Sequence, residues 1–132
     1  VELRGENDVR YDFARQDADA ILQYLARAGV LDIEQRPLPA PQCKPLPLDA
    51  VEPLVAPHAG VLVFHKKLGE QVAAGEPIAD IVNPVSGKVT PVAATRPGLL
   101  FASTAHRHLL RGMHVCKVAG ADSFRSGNLL SS

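Results

Sequence analysis

The side chains able to do chemistry are few and unevenly placed. All five histidines, His58, His65, His106, His108 and His114, fall between residues 58 and 114. His106 and His108 would point the same way in a strand, because alternate residues share a face. That spacing can hold a metal ion, but no carboxylate or cysteine accompanies it closely, so solvated histidines explain it. Lys88 follows Gly87 in Asn83-Pro84-Val85-Ser86-Gly87-Lys88, and a solvated strand lysine accounts for it. The turn Pro57-His58-Ala59-Gly60 makes His58 a candidate cleft-facing residue, although a tight turn with a permissive glycine explains the same four residues. At the start, Glu2 lies in Val1-Glu2-Leu3 and Arg4 follows it. On residue type alone Glu2 is a surface carboxylate of a strand. Arg4 could pair with a substrate carboxylate, or equally with a structural one. Cys43 sits among prolines and Cys116 in an apolar alternating run. Two isolated cysteines do not make a disulfide framework, which favours reduced thiols in a cytoplasmic protein.

Four stretches must position these groups. Residues 1–33 begin with a short strand over Val1 to Leu3 and a polar turn. The spacing then predicts a helix from about Asp12 to Ala28. Ala14, Ala18, Ile21, Leu22, Leu25 and Ala28 form one apolar stripe at helical period. Asp12 stands at its positive end and Arg27 at its negative end, and Gly29 suits the left-handed closing position. A strand and a helix cannot bury that stripe alone, so this stretch reads as the edge of a larger α/β domain, cut at Val1. Residues 34–53 hold six prolines, which remove backbone donors and predict an extended connector without helix or central strand. Residues 54–119 alternate short β runs with glycine turns: 60–65, 77–82, 87–92, 98–102 and 113–118. The tail, 120–132, is Ser-, Gly- and Asn-rich and is expected to fray.

The third stretch repeats itself. Ala56-Pro57-His58-Ala59-Gly60-Val61-Leu62 is echoed by Ala94-Thr95-Arg96-Pro97-Gly98-Leu99-Leu100, and Gly75 is echoed by Gly112. The offsets are 38 residues from Gly60 to Gly98 and 37 from Gly75 to Gly112. Two such halves can wrap around one another and close one core.

Bulk composition narrows the function. The chain has 132 residues, 46% of them hydrophobic, which is enough for a packed core. Fourteen Lys plus Arg balance fourteen Asp plus Glu, and Trp is absent. That leaves no electrostatic footprint for nucleic acid or an anionic membrane surface, and no base-stacking platform. No apolar run approaches the roughly 20 residues that span a bilayer.

Residues 54–119 resemble the barrel-sandwich hybrid of biotinyl and lipoyl carrier domains. The marks are Ala56-Pro57-x-x-Gly60, Leu68-Gly69-Glu70-Gln71-Val72-x-x-Gly75-Glu76-Pro77-Ile78 and the second-half Gly98. Lys88 lacks the flanks of a modified carrier lysine. The opening stretch, Val1-Glu2-Leu3-Arg4-Gly5, Asp8-Val9, Ala14-Arg15-Gln16-Asp17-Ala18 and Ile21-Leu22-x-x-Leu25-x-x-x-Gly29-Val30, is similar to the end of the catalytic domain in the succinylglutamate desuccinylase/aspartoacylase family. The resemblance implies a mainly β barrel-sandwich domain preceded by a strand–helix remnant of an α/β zinc hydrolase. It also implies removal of an acyl group from a small N-acyl amino acid or related amide. Zinc in that family is held by two His and one Glu, partly through His-x-x-Glu, a motif missing from this sequence. The zinc ligands of the parent are then expected upstream of Val1, and no cofactor is expected in this piece. The family's catalytic glutamate, the general base on zinc-bound water, corresponds to Glu2. Arg4 and His58 are the expected substrate-binding residues. The expected partner is the small-molecule substrate, with no nucleic acid and no membrane, and a homo-oligomer is left open. The rival expectation is a carrier or binding module without catalysis.

Overall fold

The computed structural model describes residues 5, 9–41, 44–127 and 129. The chain divides into two compact units, residues 1–43 and 44–132.

In the first unit a single helix, α1, runs over Tyr11–Arg27, close to the span the apolar period predicts. The N-cap is Arg10, which has no side-chain acceptor for the free N–H groups. Its guanidinium instead forks onto Asp12, with Nε to Oδ1 at 3.0 Å and Nη2 to Oδ2 at 2.7 Å, and lies 4.6 Å above the Phe13 ring. The hydrogen bond from Arg10 holds the Asp12 carboxyl below its usual range. At the far end Gly29 takes φ +73°, and its N–H and that of Val30 reach back to Ala26 O and Leu25 O. Only a residue without Cβ adopts that conformation cheaply. The chain then returns along α1. Arg36 pairs with Asp19 at 2.5 and 2.9 Å, its N–H donates to Gln23 Oε1, and Arg27 donates to Arg36 O. Of the helix residues only Ala26 is buried. Ile21 and Leu22 in the predicted stripe are 44% and 45% exposed. The strand predicted at Val1 to Leu3 lies outside the described residues.

The second unit is mainly β. A 3-10 turn at Leu48–Ala50 leads into eight strands: β1 Val51–Val55, β2 Gly60–Phe64, β3 Gln71–Val72, β4 Pro77–Val82, β5 Val89–Ala93, β6 Gly98–Ser103, β7 His108–Leu109 and β8 His114–Ala119. They form two four-stranded antiparallel sheets, ordered β1-β8-β6-β3 and β5-β4-β2-β7. No closed barrel is found among the described residues. Advancing each strand by one half of the repeat converts one order into the other. The registers agree as well: Val61 pairs with Val82 as Leu99 pairs with Ala119, and Gly60 pairs with Leu109 as Val72 pairs with Gly98. Each half therefore gives two strands to each sheet, and neither half owns a complete sheet.

The repeated glycines Gly60 and Gly98 explain why the halves fit. A Cβ on Gly60 would lie 2.6 Å from Ile81 Cγ2 and 2.8 Å from Val82 O. On Gly98 it would lie 2.8 Å from Val118 Cγ1 and 2.5 Å from Ala119 O. Both contacts are repeat-equivalent, so one steric requirement is met twice. The core follows the same rule. Leu62, Ile78 and Ile81 of the first half match Leu100, Val115 and Val118 of the second, and all six are essentially inaccessible. Main-chain bonds lace the halves together, with Gly75 N to Ala94 O and Gly112 N to Ala56 O both at 2.8 Å.

Two expectations need correction. The Pro-rich connector, expected to run to residue 53 without helix or central strand, gives way earlier to an edge strand, because Val51–Val55 pairs with β8. Pro53 is tolerated there because an edge strand needs bonds on one side only. The tail also carries hydrogen bonds instead of fraying from its start. Gly120 N donates to Ala50 O, Phe124 N and Arg125 N donate to Asp49 O, and Ser123 Oγ donates to Asp49 Oδ1 at 2.6 Å.

Candidate functional site

Of the three predicted site residues, Glu2 and Arg4 lie outside the described residues, and so does Cys43. His58 is described and half-buried, in the turn that leads into β2. Its Nδ1 stands 2.9 Å from Ala59 O and its Nε2 stands 2.8 Å from Thr90 Oγ1. A carbonyl only accepts, which assigns a proton to Nδ1; in the neutral ring Nε2 then accepts from the Thr90 hydroxyl. Both ring nitrogens are thereby engaged, and the ring ties the 56–59 turn to β5.

Thr90 is the second residue of β5, just after the loop that joins the halves. Asn83 organises that loop: its Oδ1 accepts from Val85 N at 2.9 Å and Ser86 N at 3.1 Å, and its O accepts from Gly87 N. The predicted Ser86-Gly87 turn is thus a six-residue loop, 83–88, with Gly87 at φ +70°. Val85 is at its tip, 95% exposed. Lys88 is exposed but sits at the base, where its carbonyl accepts from Asn83 N at 2.9 Å.

The remaining histidines do not converge. His65 Nε2 lies 2.8 Å from Asp80 Oδ2. His106 lies in the irregular segment between β6 and β7, with its N–H on Thr104 Oγ1, while β7 contains only His108 and Leu109, so His106 and His108 do not share a strand. Among the described residues no group of three or more His, Cys, Asp or Glu side chains could hold a metal ion. Cys116 is a free, buried thiol whose pKa is pushed up to about 11, first by burial and then by the Glu52 carboxylate. A thiol so held is a core side chain and not a nucleophile.

Sequence reasoning missed two clusters. Glu70 and Glu76 each close the turn three residues earlier, accepting from Lys67 N at 3.0 Å and Ala73 N at 2.8 Å. Lys66 bridges them, with Nζ 2.5 Å from Glu76 and 3.8 Å from Glu70. Its hydrogen bond to Glu76 raises the Lys66 pKa and lowers that of Glu76. The second cluster pins β1 to the β5–β6 turn: both carboxylate oxygens of Glu52 accept from Thr95 N, and Oε1 also accepts from Thr95 Oγ1 at 2.9 Å. A Glu three residues after each turn start was the available signal for the first. The second has no local signal, because its partners are 43 residues apart.

This geometry defines a two-sheet β module with internal two-fold repetition, preceded by a helix whose Ile21 and Leu22 are nearly half exposed. No family model matches the sequence, and no curated protein matches it. Several solved structures share the fold. The chain has 23% identity and a TM-score of 0.68 to a candidate succinylglutamate desuccinylase/aspartoacylase from Shewanella frigidimarina NCIMB 400, covering 89% of this chain and 32% of that one. For the product-bound ectoine utilization protein EutE (DoeB) from Ruegeria pomeroyi the values are 20% identity, TM-score 0.69, and 92% and 37% coverage. For a succinylglutamate desuccinylase/aspartoacylase from Rhodobacter sphaeroides they are 22%, 0.65, and 89% and 38%. The chain thus spans about a third of the length of the structures it matches. No helix among the described residues is long and apolar enough to cross a membrane.

Proposed function

We propose that the chain is the C-terminal portion of a zinc-dependent amidohydrolase of the succinylglutamate desuccinylase/aspartoacylase type. Its β unit is a barrel-sandwich hybrid that shapes access to the catalytic cleft. The observation that carries this is the match in fold to those three structures over 89% or more of the chain, across both units. The exposure of Ile21 and Leu22 on α1 supports it, because apolar side chains so exposed suit a partner of the kind a larger α/β domain supplies. In this reading the substrate is a small N-acyl amino acid or related amide, cleaved in the cytoplasm.

Zinc would supply a Lewis acid and an activated water to that reaction. The described residues offer no ligand set for it, and in this reading its ligands lie in the upstream part of the enzyme. Glu2 is proposed as the group that takes a proton from the attacking water and returns it to the leaving amine. Arg4 is proposed to pair with the substrate carboxylate. His58, with both ring nitrogens engaged, would act by holding the 56–59 turn in shape at the cleft mouth.

The test is Glu2→Gln in the full-length protein, assayed on N-acyl amino acids alongside metal analysis. Turnover should fall by about 100-fold or more with zinc still bound, in line with the loss of a general base. Unchanged turnover would remove Glu2 from the reaction. The carrier reading requires a prosthetic group on Lys88, and intact mass after co-expression with a ligase decides that point. The base-of-loop position of Lys88 disfavours it.

A further inference from the structure

Four strands end a sheet among the described residues: β1 and β3 in one, β5 and β7 in the other. An open edge offers unpaired N–H and C=O groups to any other chain, and proteins blunt such edges. Here β3 and β7 have two residues each, too short to template a partner. The five-residue strands β1 and β5 are the exposed risk. Each carries a proline at the same place in the repeat, Pro53 in β1 and Pro91 in β5, 38 residues apart.

The register fixes which way those prolines act. Pro53 pairs with Lys117, and Pro91 pairs with Asp80. A residue without N–H cannot occupy a hydrogen-bonded antiparallel pair, so both occupy the other kind, in which N and C=O face away from the partner strand. The ladder bonds agree, since Gly120 N donates to Ala50 O and Asn83 N donates to Lys88 O, three pairs back in each ladder, and bonded and non-bonded pairs alternate. The missing donor therefore faces the open edge in both sheets. In β1 the next outward groups are also taken: Val51 N–H donates to Leu48 O, and Val51 O accepts from Arg125 Nη1 at 3.2 Å.

We infer that Pro53 and Pro91 close the two longest sheet edges to strand addition and keep this β unit from assembling edge to edge with a second copy of the chain. Short β3 and β7 complete the protection, so all four edges are handled in repeat-matched pairs. This holds whatever reaction the parent performs.

The test replaces both prolines by threonine, a strand former that restores the N–H without adding a large apolar side chain. Mass is measured by light scattering across a concentration series, with circular dichroism reporting the fold. The folded Pro53→Thr/Pro91→Thr chain should reach at least twice the mass of the unmodified chain, with the two single variants in between. A folded double variant with unchanged mass at every concentration overturns the proposal. Hydrogen exchange on the unmodified chain tests it without any variant. The outward Val89 amide should exchange fast at all concentrations, and protection that grows with concentration would show that the edge already pairs.

Discussion

The helical unit and the β unit answer the same problem, burial of apolar surface, in opposite ways. In the β unit Leu62, Ile78, Ile81, Leu100, Leu109, Val115 and Val118 are fully buried, drawn from both halves. In the helical unit α1 buries only Ala26 and leaves Ile21 and Leu22 nearly half exposed. The helix is instead held by polar bonds to its own return segment, at Asp19, Gln23 and Arg27. Exposed ion pairs of this kind contribute little stability. One unit closes on itself, and the other leaves part of its apolar stripe half exposed.

Substitutions can break or sharpen that contrast. The largest effect is expected from Gly98→Val, where the new side chain would drive into Ala119 O and Val118. Backbone cannot yield as a side chain can, so the cost should exceed the ~1–3 kcal/mol usual for overpacking. Denaturant unfolding should then show the β-unit transition moved to markedly lower denaturant, and an unchanged midpoint would mean that the close approach at Gly98 is not required. Leu100→Ala should cost ~2–5 kcal/mol, the range for truncating a buried leucine. Equal stability in the wild type and that variant would mean the two-half core is not the source of cooperativity.

Cys116 gives a probe of the same unit. In a Cys43→Ser background, a thiol reagent at pH 8 should label Cys116 only at the rate of opening of the β unit. The thiol is buried and its pKa stands at about 11. Fast labelling without denaturant would contradict a closed core. On the other side of the comparison, Leu22→Ala should change the stability of this chain by no more than ~0.5 kcal/mol, as for other exposed positions. In the full-length protein the same change should cost several times more if a catalytic domain covers the stripe.

The smallest effect belongs to the Lys66 cluster. The Glu76 pKa is lowered from 4.5, so its contribution is complete above that value and disappears as pH falls through the lower folded value. The Lys66 pKa is raised from 10.5, so its contribution is complete below that value and fades as pH rises through the higher folded value. Glu76→Gln should flatten the acid limb of the stability–pH curve, measured by urea melts, and leave the neutral region nearly unchanged.

Much of this was legible in the residues. The 3.6-residue period placed α1 to within a residue at each end, and Gly29 marked its stop. Alternation and glycine spacing located β2, β4, β5, β6 and β8, and the 38- and 37-residue offsets revealed the two halves. The short strands β3 and β7 were missed because two residues carry no period. β1 was missed because Pro53 argues against a strand unless it is known to lie at an edge. The candidate site was the least legible part. His58 was picked out, but its partner Thr90 is 32 residues away.

The sequence by itself determined the local elements, the repeat and the turns, because these depend on side chains a few residues apart. Only the tertiary structure decided that the halves interleave, each lending two strands to each sheet. Only it decided that Pro53 faces outward and that residues 120–125 fold back on Asp49. Those outcomes depend on pairings between residues 30 to 75 positions apart, such as Thr90 with His58 and Ser123 with Asp49. Such pairs bear a loop-closure cost that local pattern cannot register, and the close approach permitted at Gly60 and Gly98 selects among them.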